Sequence, residues 1–315
     1  MSEKLADLGE FGLIAAITAR LPQGSGVIVG PGDDAAVLAT ADGRVVVTTD
    51  LLVENRHFRR DWSSADDIGH KAAAQNLADV AAMGAVPTGL VVGLGAPADL
   101  PTAWALGFAD GLREECDPLG VSVVGGDVVR SDVVVVAMTA LGDLRGRAPV
   151  TRAGARPGDV VAVCGRLGWA EAGFRVLSRG FRSPRVLVEA HRRPAVPYRA
   201  GPQAAELGAT AMCDVSDGLL ADVGHVAQAS GVALDIDSGA FDVPAPIRDA
   251  AAAIGAKPLD WILTGGDDNA LAATFPAGVP LPEPWRVVGR VSAGEGVTVD
   301  GEPYEGDPGH AHFRD

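Results

Sequence analysis

A two-domain fold that mixes helices and strands is predicted for this chain, and three observations carry the prediction. At 315 residues with 47% hydrophobic content, the chain is globular and long enough for two medium-sized domains with real cores. Short β-branched runs such as Val45 to Val47 and Val121 to Val124 alternate with longer stretches of helical periodicity. The segment Gly142 to Gly158 mixes arginine, glycine and proline between the two halves, so a boundary is expected there, giving domains 1–148 and 149–315.

Taken in order, Phe11 to Arg20 reads as a helix that ends before Pro22, and Val27 to Val29 as a strand running into Gly30-Pro31-Gly32-Asp33-Asp34. Val45 to Val47 ends in Thr48, Thr49 and Asp50, which places a carboxylate at a strand terminus, with His57 seven residues on. Ser63 or Ser64 caps a helix to about Met83 whose Lys71, Gln75 and Asp79 form one polar stripe at i, i+4 and i+8; Asn76 and Asp79 are expected to face Asp34 and Asp50. Leu90 to Gly95 is a strand, Thr102 to Cys116 a helix, Val121 to Val124 a strand feeding a loop Gly125-Gly126-Asp127, and Val133 to Leu141 a further strand.

In the second half, Asp159 to Cys164 is a strand, followed by a turn and a helix to about Arg179, and the proline-rich stretch Pro184 to Pro202 reads as irregular. Asp214 to Leu220 reads as a loop feeding a helix to about Ala229, where backbone amides and Ser216 could meet a phosphate. Strands at Val232 to Ile236, Ala270 to Phe275 and Trp285 to Val291 and a hairpin turning at Asp300-Gly301 complete the chain.

Several function classes fall away. A formal charge of −15 argues against nucleic acid or an anionic membrane as partner, since both need a basic face. Cys116, Cys164 and Cys213 have no paired spacing, which argues against a disulfide framework or a zinc site and fits a reducing cytoplasm. The first residues, MSEKLADLGEFG, lack a basic segment followed by an apolar one, and apolar runs such as Val133 to Leu141 are too short to span a bilayer. The partial dinucleotide fingerprint at Gly93 to Ala98 is disrupted by Pro97 and Pro101. No P-loop is present, and none of Lys4, Lys71 and Lys257 lies in a glycine-rich loop.

Acids recur instead after apolar runs: Asp33 or Asp34, Asp50, Asp79, Asp127, Asp214 and Asp217, with Asp268 a further candidate. Clustered carboxylates repel unless a cation intervenes, so divalent ions that in turn hold an anionic substrate are the natural counter-ions. Arg152 is a candidate phosphate ligand. A two-metal nuclease or phosphatase would use a similar acid set but commonly adds histidines, and here only His57 lies near these acids.

The segments GPGDDAAV, TTDLLVENRHF, KAAAQNLADVAAMGAVP, VVGGDVVR, VTRAGARPGD and CDVSDGL, in this order, resemble the thiamine-monophosphate kinase family across essentially the whole chain. That family is similar to aminoimidazole ribonucleotide synthetases. The resemblance implies an α+β N-terminal domain that dimerises through its sheet and a C-terminal α/β domain that completes the ATP and substrate sites. It implies a homodimer and ATP-dependent phosphoryl transfer to thiamine monophosphate, giving thiamine diphosphate and ADP. By position, Asp34, Thr48, Thr49, Asp50, Asp79, Asp127, Asp214 and Asp217 would bind several Mg²⁺ ions; Gly126, Asp127, Arg152 and Ser216 would contact ATP; His57 would contact the acceptor.

Two departures from the family pattern matter, both on the acceptor side. The GGEDYEL loop reads Gly265 to Leu271 with Asp267 in place of glutamate, and the C-terminal glycine, aromatic, any residue, His, Phe pattern reads Gly309 to Phe313 with His310 in place of the aromatic ring. Alternatives from the same fold act on another phosphomonoester or on a carbonyl or amide oxygen, or make selenophosphate, which needs a reactive cysteine or selenocysteine near the N-terminus, and this chain has no cysteine before Cys116. A nucleotide-binding relative without turnover is the alternative from a different class.

Overall fold

The computed structural model describes residues 4–31 and 37–310. The expected acid pair Asp33 and Asp34, and the tail residues His312 and Phe313, lie outside the described residues. The chain divides into two compact units, one of residues 1–80 and 86–146, the other of 81–85 and 147–315.

In the first unit, α1 (Leu5–Thr18) precedes a short antiparallel pair, β1 (Val27–Val29) and β2 (Val37–Leu38). A four-stranded sheet follows, built from β3 (Val46–Val53), β4 (Val86–Ala96), β5 (Ser122–Arg130) and β6 (Val135–Asp143) in the order β3-β6-β4-β5. Helix α2 (Ala65–Ala82) leads into β4, and α3 (Thr102–Cys116) is the crossover joining the parallel pair β4 and β5. Ser64 starts α2 with a reciprocal cap, its hydroxyl accepting from the Asp67 amide at 3.4 Å while Asp67 Oδ2 accepts from the Ser64 amide at 3.0 Å.

Two expectations are corrected here. Asp50 does not close a strand: β3 runs on through it, with Asp50 paired to Met138 in the middle of the ladder to β6. The alternation half-buried, exposed, half-buried continues across Val46 to Leu51, so Thr48 and Asp50 share the face opposite Val47, Thr49 and Leu51. Gly125-Gly126-Asp127 likewise is not a loop. It lies within β5, after a register shift between the pairs Leu90 with Val123 and Val91 with Gly125.

In the second unit, β7 (Val160–Cys164), α4 (Trp169–Ser178), α5 (Arg185–Arg192), α6 (Ala200–Glu206), β8 (Ala211–Val215) and α7 (Leu219–Ser230) come first. They are followed by β9 (Ala233–Ile236), α8 (Ala245–Ala253), α9 (Pro258–Thr264), β10 (Ala270–Phe275), β11 (Arg286–Ser292), β12 (Gly296–Val299) and β13 (Glu302–Pro303). The strands form one sheet in the order β13-β12-β9-β11-β7-β10-β8, antiparallel except for β9 with β12. Both faces are covered: Val161, Val163, Cys213 and Val215 pack with α7, while Ala162, Cys164, Met212 and Leu271 pack with α6 and Trp285. The stretch Pro184 to Pro202, expected to be irregular, carries α5 and part of α6, because Pro184, Pro194 and Pro197 sit before or between the helices and Pro202 lies in the first turn of α6, where no intrahelical amide is lost. Among the described residues, no helix is long and apolar enough to cross a membrane.

Candidate functional site

The first unit assembles its polar groups from regular elements. The half-buried stripe of α2 lies against the Thr48 and Asp50 face of β3: Gln75 Nε2 donates to Asp50 Oδ2 at 3.0 Å, and Thr48 Oγ1 donates to Asp79 Oδ2 at 2.8 Å. Strand period and helix period thus meet in register, which is why a carboxylate can sit in mid-strand without being orphaned. Gln75 takes the place expected for Asn76, which is fully buried and donates to the Ala72 carbonyl at 3.0 Å. Thr49 points to the other face, donating to the Met138 carbonyl at 3.0 Å.

At the far end of β3, His57 Nδ1 accepts from the Val53 amide at 3.0 Å, so the imidazole is tied to the strand end. On β5, Gly126 lies so close to β4 that a Cβ there would come within 2.0 Å of the Val92 carbonyl oxygen. The exposed Asp127 beside it accepts from the Val128 amide at 2.8 Å. Gly125, Gly126 and Asp127 border a cavity of about 980 Å³ whose other walls are largely apolar, including Ile14, Ile17, Val91, Leu94, Phe108 and Leu112.

In the second unit, the candidates come from loops tied to one another by main-chain bonds. Asp214 is buried near the end of β8, and the turn after it gives up three carbonyls: Val215 accepts from the Asn269 amide at 3.1 Å, Ser216 from Asp267 at 2.9 Å, and Asp217 from His310 at 2.9 Å. Asp214, Ser216, Asp217, Asp267 and His310 are therefore gathered at one end of the sheet, although nearly 100 residues separate the first from the last. Asp267 holds a left-handed φ of 67° to make this connection. The exposed Arg152 enters from the segment before β7, whose backbone is held by Ser230: the Ser230 hydroxyl donates to the Arg152 carbonyl at 3.0 Å and accepts from the Gly154 and Ala155 amides at 3.1 Å each.

Two buried carboxylates support these loops. Asp268, a candidate metal ligand from sequence, faces inward instead: its Oδ2 accepts from the Trp169 amide at 3.0 Å and its Oδ1 from the Ala170 amide at 2.9 Å, so it closes the open end of α4. Burial pushes its pKa up to about 7 against the pull of those amides. Asp222, on the first turn of α7, accepts the Asp217 and Gly218 amides at 3.0 and 3.1 Å. Burial pushes it up to about 7 as well, the Gly218 bond and the Arg152 charge pulling the other way. The expectation that loop amides meet a phosphate is thereby corrected for these two, whose hydrogens are already engaged. Of the supporting residues, Gln75 showed in the sequence as part of the stripe; Asp222 and Ser230 carried no local signal.

Among the described residues, no three His, Cys, Asp or Glu side chains form a group that could hold a metal ion alone. Magnesium dehydrates reluctantly and is commonly held by one or two carboxylates together with phosphate oxygens and water. The candidate donors in each unit, the carboxylates of Asp50, Asp79 and Asp127 and the Thr48 hydroxyl in the first and the carboxylates of Asp214 and Asp217 in the second, are hard oxygens, so the residue chemistry fits that ion.

A mixed α/β fold with two main sheets, the first carrying a β-α-β crossover over an acid-bearing strand pair, defines the class, and residues 32–144 match the AIR synthase related protein, N-terminal domain, family. The whole chain aligns more specifically. It is 48% identical over 314 residues to a thiamine-monophosphate kinase of Mycobacterium tuberculosis, covering 99% of this chain and 94% of that one. Its fold matches the crystal structure of the Stenotrophomonas maltophilia K279a thiamine-monophosphate kinase with a TM-score of 0.81 at 33% identity, over 93% and 96% of the two chains. It also matches AaThiL complexed with AMPPCP and TMP with a TM-score of 0.82 at 34% identity, over 99% and 100%. The chain belongs to the thiamine-monophosphate kinase family, whose members are phosphotransferases.

Proposed function

We propose that this protein transfers the γ-phosphoryl group of ATP to thiamine monophosphate, giving thiamine diphosphate and ADP by direct in-line displacement without a general base. The observation that carries the reading is identity of 48% along 99% of the chain to a thiamine-monophosphate kinase. The acceptor is a phosphomonoester with a second pKa of about 6, so its attacking oxygen is already ionised at neutral pH. What remains for the protein is alignment and charge neutralisation.

Asp34, Thr48, Asp50, Asp79, Asp127, Asp214 and Asp217 would hold several magnesium ions, with Thr49 contributing through its backbone. Held by these residues, magnesium would supply neutralisation of the phosphate charge. Asp50 is kept in place by the Gln75 amide and Asp79 by the Thr48 hydroxyl, so these carboxylates are set before a ligand arrives. The apolar cavity beside Gly126 and Asp127 suits an adenine ring, and Arg152 and Ser216 suit phosphate oxygens. His57, Asp267 and His310 are assigned to the acceptor. Residues 1–148 would form the ATP, magnesium and dimerisation domain, and 149–315 the domain that completes the reaction's binding groups. A homodimer through the first unit's sheet is supported by exposed Val47 and Leu51 on the outer face of β3, and a hydrodynamic mass near twice 32.1 kDa tests it. We assign the reaction to the cytoplasm, where ATP is available and the three buried free thiols stay reduced.

A second reading, another phosphomonoester as acceptor, is favoured only by Asp267 and His310 standing where the family has a longer acid and an aromatic ring. Purified protein with Mg-ATP and a panel of thiamine, thiamine monophosphate, other phosphomonoesters and no acceptor separates the two. Thiamine diphosphate is expected only with thiamine monophosphate, and Asp50→Asn should lower its rate by about 100-fold or more. Turnover with a different phosphomonoester alone would select the second reading.

A further inference from the structure

We propose that Asp222 is a positioning residue which fixes the Ser216 to Gly218 turn for cation binding, acting through the backbone of Asp217 rather than by touching substrate. The proposal rests on the reading of Asp217 as a magnesium ligand.

The geometry is specific. Asp222 is only 3% exposed, and a single oxygen, Oδ2, takes both the Asp217 amide at 3.0 Å and the Gly218 amide at 3.1 Å. Capping α7 needs only the Gly218 bond. The bond to Asp217 reaches one residue further out, to the backbone that carries the ligand carboxylate.

Everything else in the turn is fixed in the same way. Its carbonyls at Val215, Ser216 and Asp217 are taken by the amides of Asn269, Asp267 and His310. Gly218 sits at φ 131°, where a Cβ would lie 2.5 Å from the Thr264 carbonyl oxygen, so the turn cannot relax by admitting a side chain there. With the amides of Asp217 and Gly218 consumed, these two turn donors ahead of α7 are not available to an anion. The turn presents the Asp217 carboxylate, which reaches phosphate through a cation, beside the Ser216 hydroxyl.

The test is calorimetric binding of AMPPCP over a series of Mg²⁺ concentrations, which needs no turnover, with melting temperature recorded beside it. Asp217→Asn sets the scale. Asp222→Ala removes the acceptor, Asp222→Glu moves it by one methylene and stays informative if the alanine variant does not fold, and Asp222→Asn keeps one oxygen able to take both amides. The alanine and glutamate variants are expected to raise the Mg²⁺ midpoint by about tenfold or more, as loss of a ligand-orienting partner does, and asparagine to restore it. A changed melting temperature with an unchanged Mg²⁺ midpoint in Asp222→Ala or Asp222→Glu overturns the proposal, and so does an asparagine variant as impaired as alanine. An unchanged midpoint in Asp217→Asn overturns the ligand reading itself and the proposal with it.

Discussion

The two units hold their candidate ligands by opposite means. In the first, Asp50 and Asp79 lie on a regular strand and a regular helix, and side chain meets side chain: Gln75 with Asp50, Thr48 with Asp79. In the second, the acids lie at strand ends and turns, and main-chain bonds from Asp267, Asn269 and His310 join the pieces while buried Asp222 and Asp268 secure the amides. The difference teaches where each region is vulnerable. Replacing a supporting side chain in the first unit should alter ligand binding and leave the fold, whereas in the second it should loosen the fold itself.

The largest test of that contrast is Asp268→Asn. Asp268 uses one oxygen for each amide, so asparagine can satisfy only one and turns an N–H donor toward the other; a loss of about 1–3 kcal/mol is expected in urea unfolding at pH 5. A loss within error would erase the distinction between the units. The contribution of Asp268 should also depend on pH. Its folded pKa of about 7 lies above its ordinary value of 3.8, so the unfolded chain releases the proton first as pH rises. Its stabilisation is full below about pH 4, shrinks between about pH 4 and 7, and is level above that. The stability difference between wild type and Asp268→Ala, measured in chelator, should follow that decline.

Gln75→Leu comes next. Losing the donor to Asp50 should raise the Mg²⁺ midpoint for AMPPCP by about tenfold, while unfolding free energy changes by less than about 1 kcal/mol. A large stability loss with an unchanged midpoint would reverse the contrast. The smallest effect is expected for Ser230→Ala, which frees the backbone that carries Arg152: about 1 kcal/mol of stability and a modest rise in the KM for ATP.

Much of this was legible from residue order. The β-branched runs, the Ser64 cap, the limits of α3 and the hairpin at Asp300-Gly301 are local signals, and the structure has them where the patterns put them. Two of the misreadings share one cause: a polar residue after an apolar run reads as the end of an element. Asp50 and Asp127 continue their strands because partners distant in sequence complete the ladder, Met138 for Asp50 and Gly93 for Asp127. Which member of the Gln75-Asn76 pair faces β3 depends on how α2 is rotated against the sheet, a tertiary quantity that periodicity narrows to a face and not to a residue. Asp268 reads as a ligand candidate next to Asp267, and only the arrival of α4 behind it reveals its task.

That task also orders events during synthesis. The first amides of α4 wait for an acceptor 98 and 99 residues further along, and β7 waits for β10 and β11, which emerge from the ribosome after α4 to α9. A nascent chain stopped before Asp268 would leave the start of α4 and both edges of β7 open to water and to other chains. The second unit therefore has a point of completion late in translation, and truncation just short of it would yield an aggregation-prone fragment instead of a smaller working one.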